Sequence, residues 1–200
     1  MSDISHNEEE RSGRADQRVT TTITSERLEL IPLTPAFLEA MLGQDLPKAG
    51  RLVGLLLPEG LLDSLDVMEL RLQQLRADAG FQPWSLRAIA LRGRGVMVGH
   101  IGCHTAPGAD YLVPYAPGGV EFGFTVYPPW LRQGYAREAS LALMDWAHRV
   151  HGVTKFVLSI RPDNTASQAL AASLGFVRIG SHMDEVDGLE DILERRLGGV

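Results

Sequence analysis

The sequence has little of what marks secreted, membrane-spanning or nucleic-acid-binding proteins. Its single cysteine, Cys103, excludes an intramolecular disulfide. The apolar run from Leu52 to Leu57 ends at Pro58, far short of the ~18 residues that a membrane-spanning helix needs. The chain begins with acidic residues where a signal peptide needs basic and then apolar ones. With a formal net charge of -6 there is no basic field for nucleic acid. We therefore expect a cytoplasmic protein with no membrane or nucleic-acid partner.

The 200 residues suffice for one domain with a substantial core. Residues 1–18 are polar and charged with almost no apolar content, which predicts a mobile tail. Residues 19–200 contain no internal repeat and no linker between two cores. We therefore predict one domain over residues 19–200.

Hydrophobic periodicity divides that domain into strands and helices. The predicted strands are Thr22–Ile31, Trp84–Leu91, Val96–His104, Val120–Val126, Lys155–Ile160, Phe176–Gly180 and Ile192–Leu197. One predicted helix begins at Pro35 behind the N-cap Thr34. The others span Lys48–Leu57, Leu65–Ala77, Gly134–Val150 and Thr165–Leu174.

The order of these elements defines the fold class. The glycine turn between Arg92 and Gly95 is typical of an antiparallel hairpin, whereas the strand–helix–strand unit over residues 120–160 requires a parallel crossover. We therefore predict an α/β fold in which helices cover both faces of a mixed, mostly antiparallel sheet of about seven strands.

The start of the helix near Gly134 has the composition of an anion site. Arg132-Gln133-Gly134-Tyr135-Ala136 follows two prolines at the end of a strand. A helix N-terminus presents unpaired N–H groups and a partial positive charge, and small residues leave room for a phosphate. The same residues also fit an ordinary loop-to-helix junction.

A second segment, with the first, resembles a known family. Asn164 and Ser167 open a short helix that leads to Leu174-Gly175-Phe176, while Glu121-Phe122-Gly123-Phe124 lies on a strand before Gln133-Gly134-Tyr135-Ala136-Arg137-Glu138-Ala139. These motifs, and Ser25-Glu26-Arg27-Leu28-Glu29-Leu30 at the start, resemble the GNAT superfamily of N-acetyltransferases and its ribosomal-protein (Rim-type) branch. The similarity extends from Thr21 to about Leu197.

This resemblance implies a GNAT-like fold, with a splay between two central parallel strands, that binds acetyl-CoA and transfers its acetyl group to an amine. The diphosphate would lie on the N–H groups of Arg132, Gln133, Gly134, Tyr135 and Ala136. The pantetheine would pair with backbone near Phe124 and Val126 and accept a hydrogen bond from Asn164.

The resemblance also bears on the catalytic residues. The family's usual Arg or Gln three residues before the first motif glycine is Leu131 here, and the tyrosine acid of many members is Ala171. Ser167 stands where Rim-type enzymes have a serine, which makes it the candidate acid; it equally fits a helix residue bonded to backbone. Glu121 is the candidate base, directly or through a water, or else an edge-facing carboxylate paired with an arginine.

Other residues carry weaker signals. His100 and His104 share one face of a strand, where satisfied or substrate-lining roles fit better than metal binding, and Cys103 fits a small buried residue; we expect no metal. The acceptor would be a protein N-terminal α-amine or a small-molecule amine, bound between the helices of residues 35–77 and the loop of residues 105–119. A homodimer is compatible with the resemblance. A CoA-binding sensor without transfer activity is the alternative function.

Overall fold

A computed structural model describes residues 21–184 and 188–198. Its strands are β1 Ile23–Thr24, β2 Leu28–Pro32, β3 Arg87–Leu91, β4 Val96–Cys103, β5 Val120–Val126, β6 Lys155–Ile160, β7 Val177–Asp184 and β8 Gly188–Arg196. Its helices are α1 Pro35–Leu42, α2 Leu46–Val53, α3 Leu65–Ala77, α4 Tyr135–His151 and α5 Thr165–Ser173. Short 3-10 segments lie at Glu59–Ser64, Ala79–Phe81, Asp110–Leu112 and Pro128–Trp130. The predicted tail of residues 1–18 lies outside the described residues.

The strands form one mixed sheet in the order β1-β2-β3-β4-β5-β6-β8-β7. The β5–β6 pair is parallel, and every other neighbouring pair is antiparallel. The predicted crossover from β5 through α4 to β6 is confirmed, as is the glycine hairpin between β3 and β4.

Helices cover both faces of the sheet. On one face, the guanidinium of Arg87 in β3 lies 4.9 Å from the ring centre of Trp146 in α4. Arg87 pairs with Ile101 in β4, so the neighbouring His100 points to the other face. There, Nε2 of His100 lies 3.2 Å from Oγ of Ser64, the residue before α3. The core is therefore divided by the sheet into two layers.

Four predicted elements differ from the structure, and a fifth, β3, differs only in where it begins. The first strand is a hairpin, because Ser25 donates its N–H to the carbonyl of Leu28 and turns the chain back; this raises the strand count to eight. The second helix ends at Val53, since left-handed Gly54 caps it and Leu56 then pairs with Val96. The last two strands are longer than predicted, and the hairpin tip at residues 185–187 lies outside the described residues.

β3 begins at Arg87 rather than at Trp84, because the N–H of Trp84 donates to the carbonyl of Phe81 in the preceding turn. The remaining boundaries agree with prediction to within one residue. α1 has Thr34 as its N-cap and a proline in its first turn, α3 has the predicted ends, and β5 and β6 are residue for residue as expected. Met68, Leu72 and Leu75 form the buried stripe of α3. Strong periodicity bounded by capping residues therefore located these elements.

Candidate active site

The two parallel strands separate soon after they meet. β5 and β6 pair at Val120 with Phe156 and at Glu121 with Val157, and the pairing ends there. Towards their carboxyl ends, each strand keeps its antiparallel partner on the outer side, β4 for β5 and β8 for β6. A gap thus opens in the middle of the sheet, as the resemblance implied.

Backbone groups of alternate β5 residues face this gap. The carbonyl of Glu121 accepts from N–H of His104 at 2.9 Å, and N–H of Tyr127 donates to the carbonyl of Val98 at 2.9 Å, so both point towards β4. Successive residues of a strand point their polar groups to opposite sides. The N–H and C=O groups of Phe124 and Val126 therefore face the gap, where an extended ligand can pair with them.

The start of α4 lies beyond the carboxyl end of β5. The chain makes a 3-10 turn at Pro128–Trp130, passes through Arg132 at a φ of 59° and Gly134 at a φ of 80°, and enters the helix at Tyr135. Left-handed residues next to right-handed ones turn successive N–H groups into a concavity that suits anions. Residues 132–136, predicted to bind the diphosphate, thus share one helix mouth beside the gap.

A clamp between Arg27 and Glu138 holds this mouth in place. The Glu138 carboxylate accepts from Oγ of Ser25, from N–H of Arg27 and from Nε of Arg27, each at 2.7 Å. Arg27 also donates from Nη1 to the carbonyl of Gln133 at 3.0 Å, and its guanidinium lies 4.8 Å from the ring centre of Tyr135. Partial burial raises the pKa of Glu138, but these hydrogen bonds outweigh it and hold the pKa below its ordinary value. Arg27 and Glu138 lie too far apart in sequence for their pairing to be predicted, although both belong to recognised motifs.

Asn164 and Ser167 lie beyond the carboxyl end of β6, across the gap. Oδ1 of Asn164 accepts from N–H of Ser167 at 3.1 Å and caps α5. Asn164 is exposed and Ser167 is half-buried, so the amide nitrogen of Asn164 and the hydroxyl of Ser167 can meet a ligand. Ala171 is fully buried in α5, away from such contact.

Glu121 is a buried carboxylate at the point where the strands separate. Its Oε1 lies 3.5 Å from Nδ1 of His104, whose side chain is 42% exposed. Desolvation by itself raises the pKa of Glu121, yet polar contacts with His104, Ser159 and Tyr111 outweigh it and hold the pKa at about 2. The partner of Glu121 is thus a histidine, not the arginine considered from the sequence. Local sequence patterns do not show this pair, because the two residues meet only when neighbouring strands assemble.

The other predicted residues have structural environments. His100 is buried against Ser64, and burial, with a smaller effect of Arg71, lowers its pKa to about 4. Cys103 is also buried, and desolvation raises its pKa to about 12, which keeps the thiol protonated. Within residues 21–184 and 188–198, no group of three or more histidine, cysteine or acidic side chains is placed to hold a metal ion. No described helix has the length and apolar character needed to cross a membrane.

Comparison with protein families identifies the chain. The acetyltransferase (GNAT) domain family matches residues 27–177, three quarters of the sequence. The chain belongs to the GNAT acetyltransferase family. The predicted enzyme class, an N-acetyltransferase, is confirmed with it. No curated protein matches the chain.

Solved acetyltransferases share the GNAT fold of this chain. An acetyltransferase from Agrobacterium tumefaciens is 23% identical with a TM-score of 0.57, over 88% of this chain and 95% of that one. The ribosomal L7/L12 α-N-protein acetyltransferase RimL, in complex with coenzyme A, is 19% identical with a TM-score of 0.61, over 88% and 98%. A ribosomal-protein-S5-alanine acetyltransferase from Vibrio fischeri is 13% identical with a TM-score of 0.57, over 88% and 96%. These structures include Rim-type enzymes, and the likeness confirms the predicted GNAT fold.

Proposed function

We propose that this GNAT protein is an acetyl-CoA-dependent enzyme in which a primary amine attacks the thioester directly. The observation that carries the proposal is the gap between β5 and β6, beside a helix mouth formed by left-handed Arg132 and Gly134. An extended chain ending in a diphosphate matches a row of strand N–H groups followed by a cluster of helix N–H groups. RimL, which shares the fold, holds coenzyme A.

The cofactor's contacts follow from this arrangement. We assign the diphosphate to the N–H groups of residues 132–136 and the pantetheine to the backbone of Phe124 and Val126. Asn164 would donate from its side-chain nitrogen to a pantetheine carbonyl. These assignments agree with the direction of the β5 backbone groups and with the exposure of Asn164.

The chemistry needs a base for the amine and an acid for the leaving thiolate. We assign the acid to Ser167, whose half-buried position at the start of α5 lies across the gap from β5. We assign the activation of the amine to Glu121 and the His104 side chain paired with it, which lie where the gap begins. The buried and protonated Cys103 gives no support for a covalent acetyl-enzyme, so direct transfer is the simpler route.

The acceptor is an amine, and the two classes to test are a protein N-terminal α-amine and a small-molecule amine. α3 and the loop of residues 105–119 contact the Glu121–His104 pair on the face opposite α4, which supports an acceptor site there. The Rim-type proteins that share the fold are named for ribosomal-protein acetylation. This favours an N-terminal α-amine as the first class to test.

Two measurements test the proposal. Calorimetry should show that coenzyme A binds, and ATP at the same concentration should bind more weakly because it lacks the pantetheine. A thiol-release assay with acetyl-CoA should then detect turnover on peptides that differ in their free N-terminal residue, or on polyamines and aminoglycosides. The matched controls are the same peptides with a blocked α-amine. Tight coenzyme A binding without turnover of any amine would instead support the sensor function.

A further inference from the structure

We propose that His104 is the general base of this active site and that Glu121 is its positioning residue. The inference rests on the proposed function and deepens it, because it assigns the proton transfer to one atom, Nε2 of His104. The argument uses the geometry of the pair, the direction of the ring, the rigidity of its support and the chemistry of the transfer.

The two residues form a paired unit at the origin of the gap. Nδ1 of His104 lies 3.5 Å from Oε1 of Glu121, at the outer limit of a hydrogen bond, and the main-chain N–H of His104 donates to the carbonyl of Glu121 at 2.9 Å. The carboxylate is 6% exposed and the imidazole 42%. The carboxylate is thus shielded from an incoming amine by the more exposed imidazole.

The ring extends along β5 towards the region where the strands have separated. A Cβ at Gly123 would stand only 3.2 Å from Nε2 of His104. Gly123 lies two residues after Glu121 on the same face of β5, next to Phe124, whose backbone faces the gap. Nδ1 therefore points to the carboxylate, while Nε2 lies over Gly123, next to the residue whose backbone is assigned to the pantetheine.

The backbone of His104 is held in place by two side chains of α3. Its carbonyl accepts from Nε2 of Gln74 at 3.1 Å and from Nη1 of Arg71 at 3.4 Å, and Arg71 also bonds Oε1 of Gln74 at 2.8 Å. The charged and titratable groups that face the pair are Arg71 from α3 and Tyr111 from the loop. Such anchoring is what a base needs to hold its angle to a reacting atom.

The chemistry of a histidine–carboxylate pair matches the step. An ionised Glu121 accepts a hydrogen bond from Nδ1–H, which leaves the lone pair on Nε2. As the amine nitrogen bonds to the thioester carbonyl carbon, its proton passes to Nε2 and the charge of the imidazolium is balanced by Glu121. The C–S bond then breaks, and the thiolate takes a proton from Ser167. Ser167 regains a proton from solvent, and the imidazolium of His104 returns its proton to solvent. Glu121 itself, with a pKa held at about 2, is a weak acceptor for that proton.

Kinetics on three variants test the assignment, with the peptide that wild-type protein acetylates fastest as the acceptor. His104→Ala should lower kcat about 100- to 10,000-fold, abolish the acidic limb of the kcat/KM pH profile and leave coenzyme A affinity unchanged. Added imidazole should restore part of the rate. Glu121→Gln should lower kcat less than His104→Ala does, because the imidazole remains but the imidazolium loses its counter-charge. Gly123→Ala keeps both side chains but crowds Nε2, and should also slow the reaction.

A tautomer measurement needs no acceptor. Nitrogen-15 NMR of the histidine rings should show the neutral form of His104 protonated at Nδ1, and Glu121→Gln should weaken that preference. His104 protonated at Nε2 would overturn the proposal, as would a His104→Ala enzyme that keeps its rate and acidic limb while Glu121→Gln loses both. If His104→Ala does not fold, His104→Gln replaces it in the kinetic test. Failure of the wild-type protein to turn over any amine would count against the proposed function, and the tautomer would still decide the pairing.

Discussion

Gly134 is the residue on which the cofactor site depends most directly. Its φ of 80° is left-handed, and a Cβ there would stand 3.3 Å from Nη2 of Arg27. Gly152, at the opposite end of α4, has a φ of 71° with open space around it. The two glycines thus share the same backbone strain on substitution, and only one of them lies at the proposed diphosphate.

We therefore predict that Gly134→Ala and Gly152→Ala each cost about 1 kcal/mol of unfolding free energy, but that only the first weakens coenzyme A binding. Gly134→Glu should weaken it further, on the order of 100-fold, because a carboxylate would face the phosphates. Calorimetry and chemical unfolding of the variants provide the measurements. Equal coenzyme A affinity in both alanine variants would remove the diphosphate from this helix mouth.

His100 connects a single residue to the pH dependence of stability. Burial holds its pKa at about 4, against an ordinary value of 6.5. In the unfolded chain, His100 therefore takes up a proton as the pH falls through 6.5, whereas in the folded protein it stays neutral until about pH 4. His100 thus does not reduce the unfolding free energy above pH 6.5. Below that pH the unfolding free energy falls progressively, by roughly 2 kcal/mol between about pH 7 and pH 5.

His100→Gln should flatten this slope, as measured by urea unfolding across that pH range. The matched control is His148→Gln in α4, whose ring contacts the carbonyl of Val153 at 3.0 Å on a half-buried surface. An unchanged slope in His100→Gln would mean that other groups cause the acid sensitivity. Restricting the measurement to pH values above 5 keeps the titration of Glu121 out of the window.

At the scale of elements, the turn before β2 supports the start of α4. Glu138 accepts three short hydrogen bonds from Ser25 and Arg27. On the same helix, Asp145 pairs with Arg149 at 2.8 Å, but both side chains are more than half exposed. The partly buried cluster should contribute more stability than the exposed pair, because water screens the latter.

Glu138→Ala should accordingly lower the unfolding free energy by about 1–3 kcal/mol and weaken coenzyme A binding, because Arg27 then no longer holds the carbonyl of Gln133. Asp145→Ala should change stability by less than about 0.5 kcal/mol and leave binding unaltered. Thermal unfolding and calorimetry on the two variants make the comparison. A loss of stability without a loss of affinity would show that the clamp supports the fold but does not shape the phosphate site.

The elements also show which features the sequence could predict. β5, β6 and α3 have strong periodicity and clear ends, so local patterns located them. The turn at Ser25 and the exit of Leu56 from α2 depend on partners elsewhere in the sheet. The site divides in the same way: contiguous motifs predicted residues 132–136 and Asn164, while the pairs Arg27–Glu138 and His104–Glu121 exist only once the strands are assembled. Periodicity carries no information about which distant side chains meet.

At the scale of the whole molecule, the sheet consists of two parts that meet at a short junction. β1 to β5 form one part, and β6, β8 and β7 form the other. The β5–β6 pairs at Val120 and Glu121 join them beside the α4 crossover. A ligand in the gap would act as an additional strand for the carboxyl-terminal half of β5. Binding should therefore change the backbone of β5 in a pattern that alternates along the strand.

Hydrogen exchange measured by NMR tests this pattern. Without ligand, the amides of Phe124 and Val126 face the gap and should exchange rapidly, while that of Tyr127 is bonded to Val98 and should be protected. Coenzyme A at about 100 times its Kd stabilises the whole fold by about 2.7 kcal/mol, and amides that exchange through global unfolding should slow by a common factor. Phe124 or Val126 should slow beyond what that factor explains, because their protection comes from direct pairing with the pantetheine. Gly134→Glu provides the control, since at the same coenzyme A concentration its roughly 100-fold weaker site is only about half occupied, and both amides should slow no more than about twofold. Slowing confined to Thr125 and Tyr127, whose backbone groups face β4, would mean that the ligand does not lie in the gap.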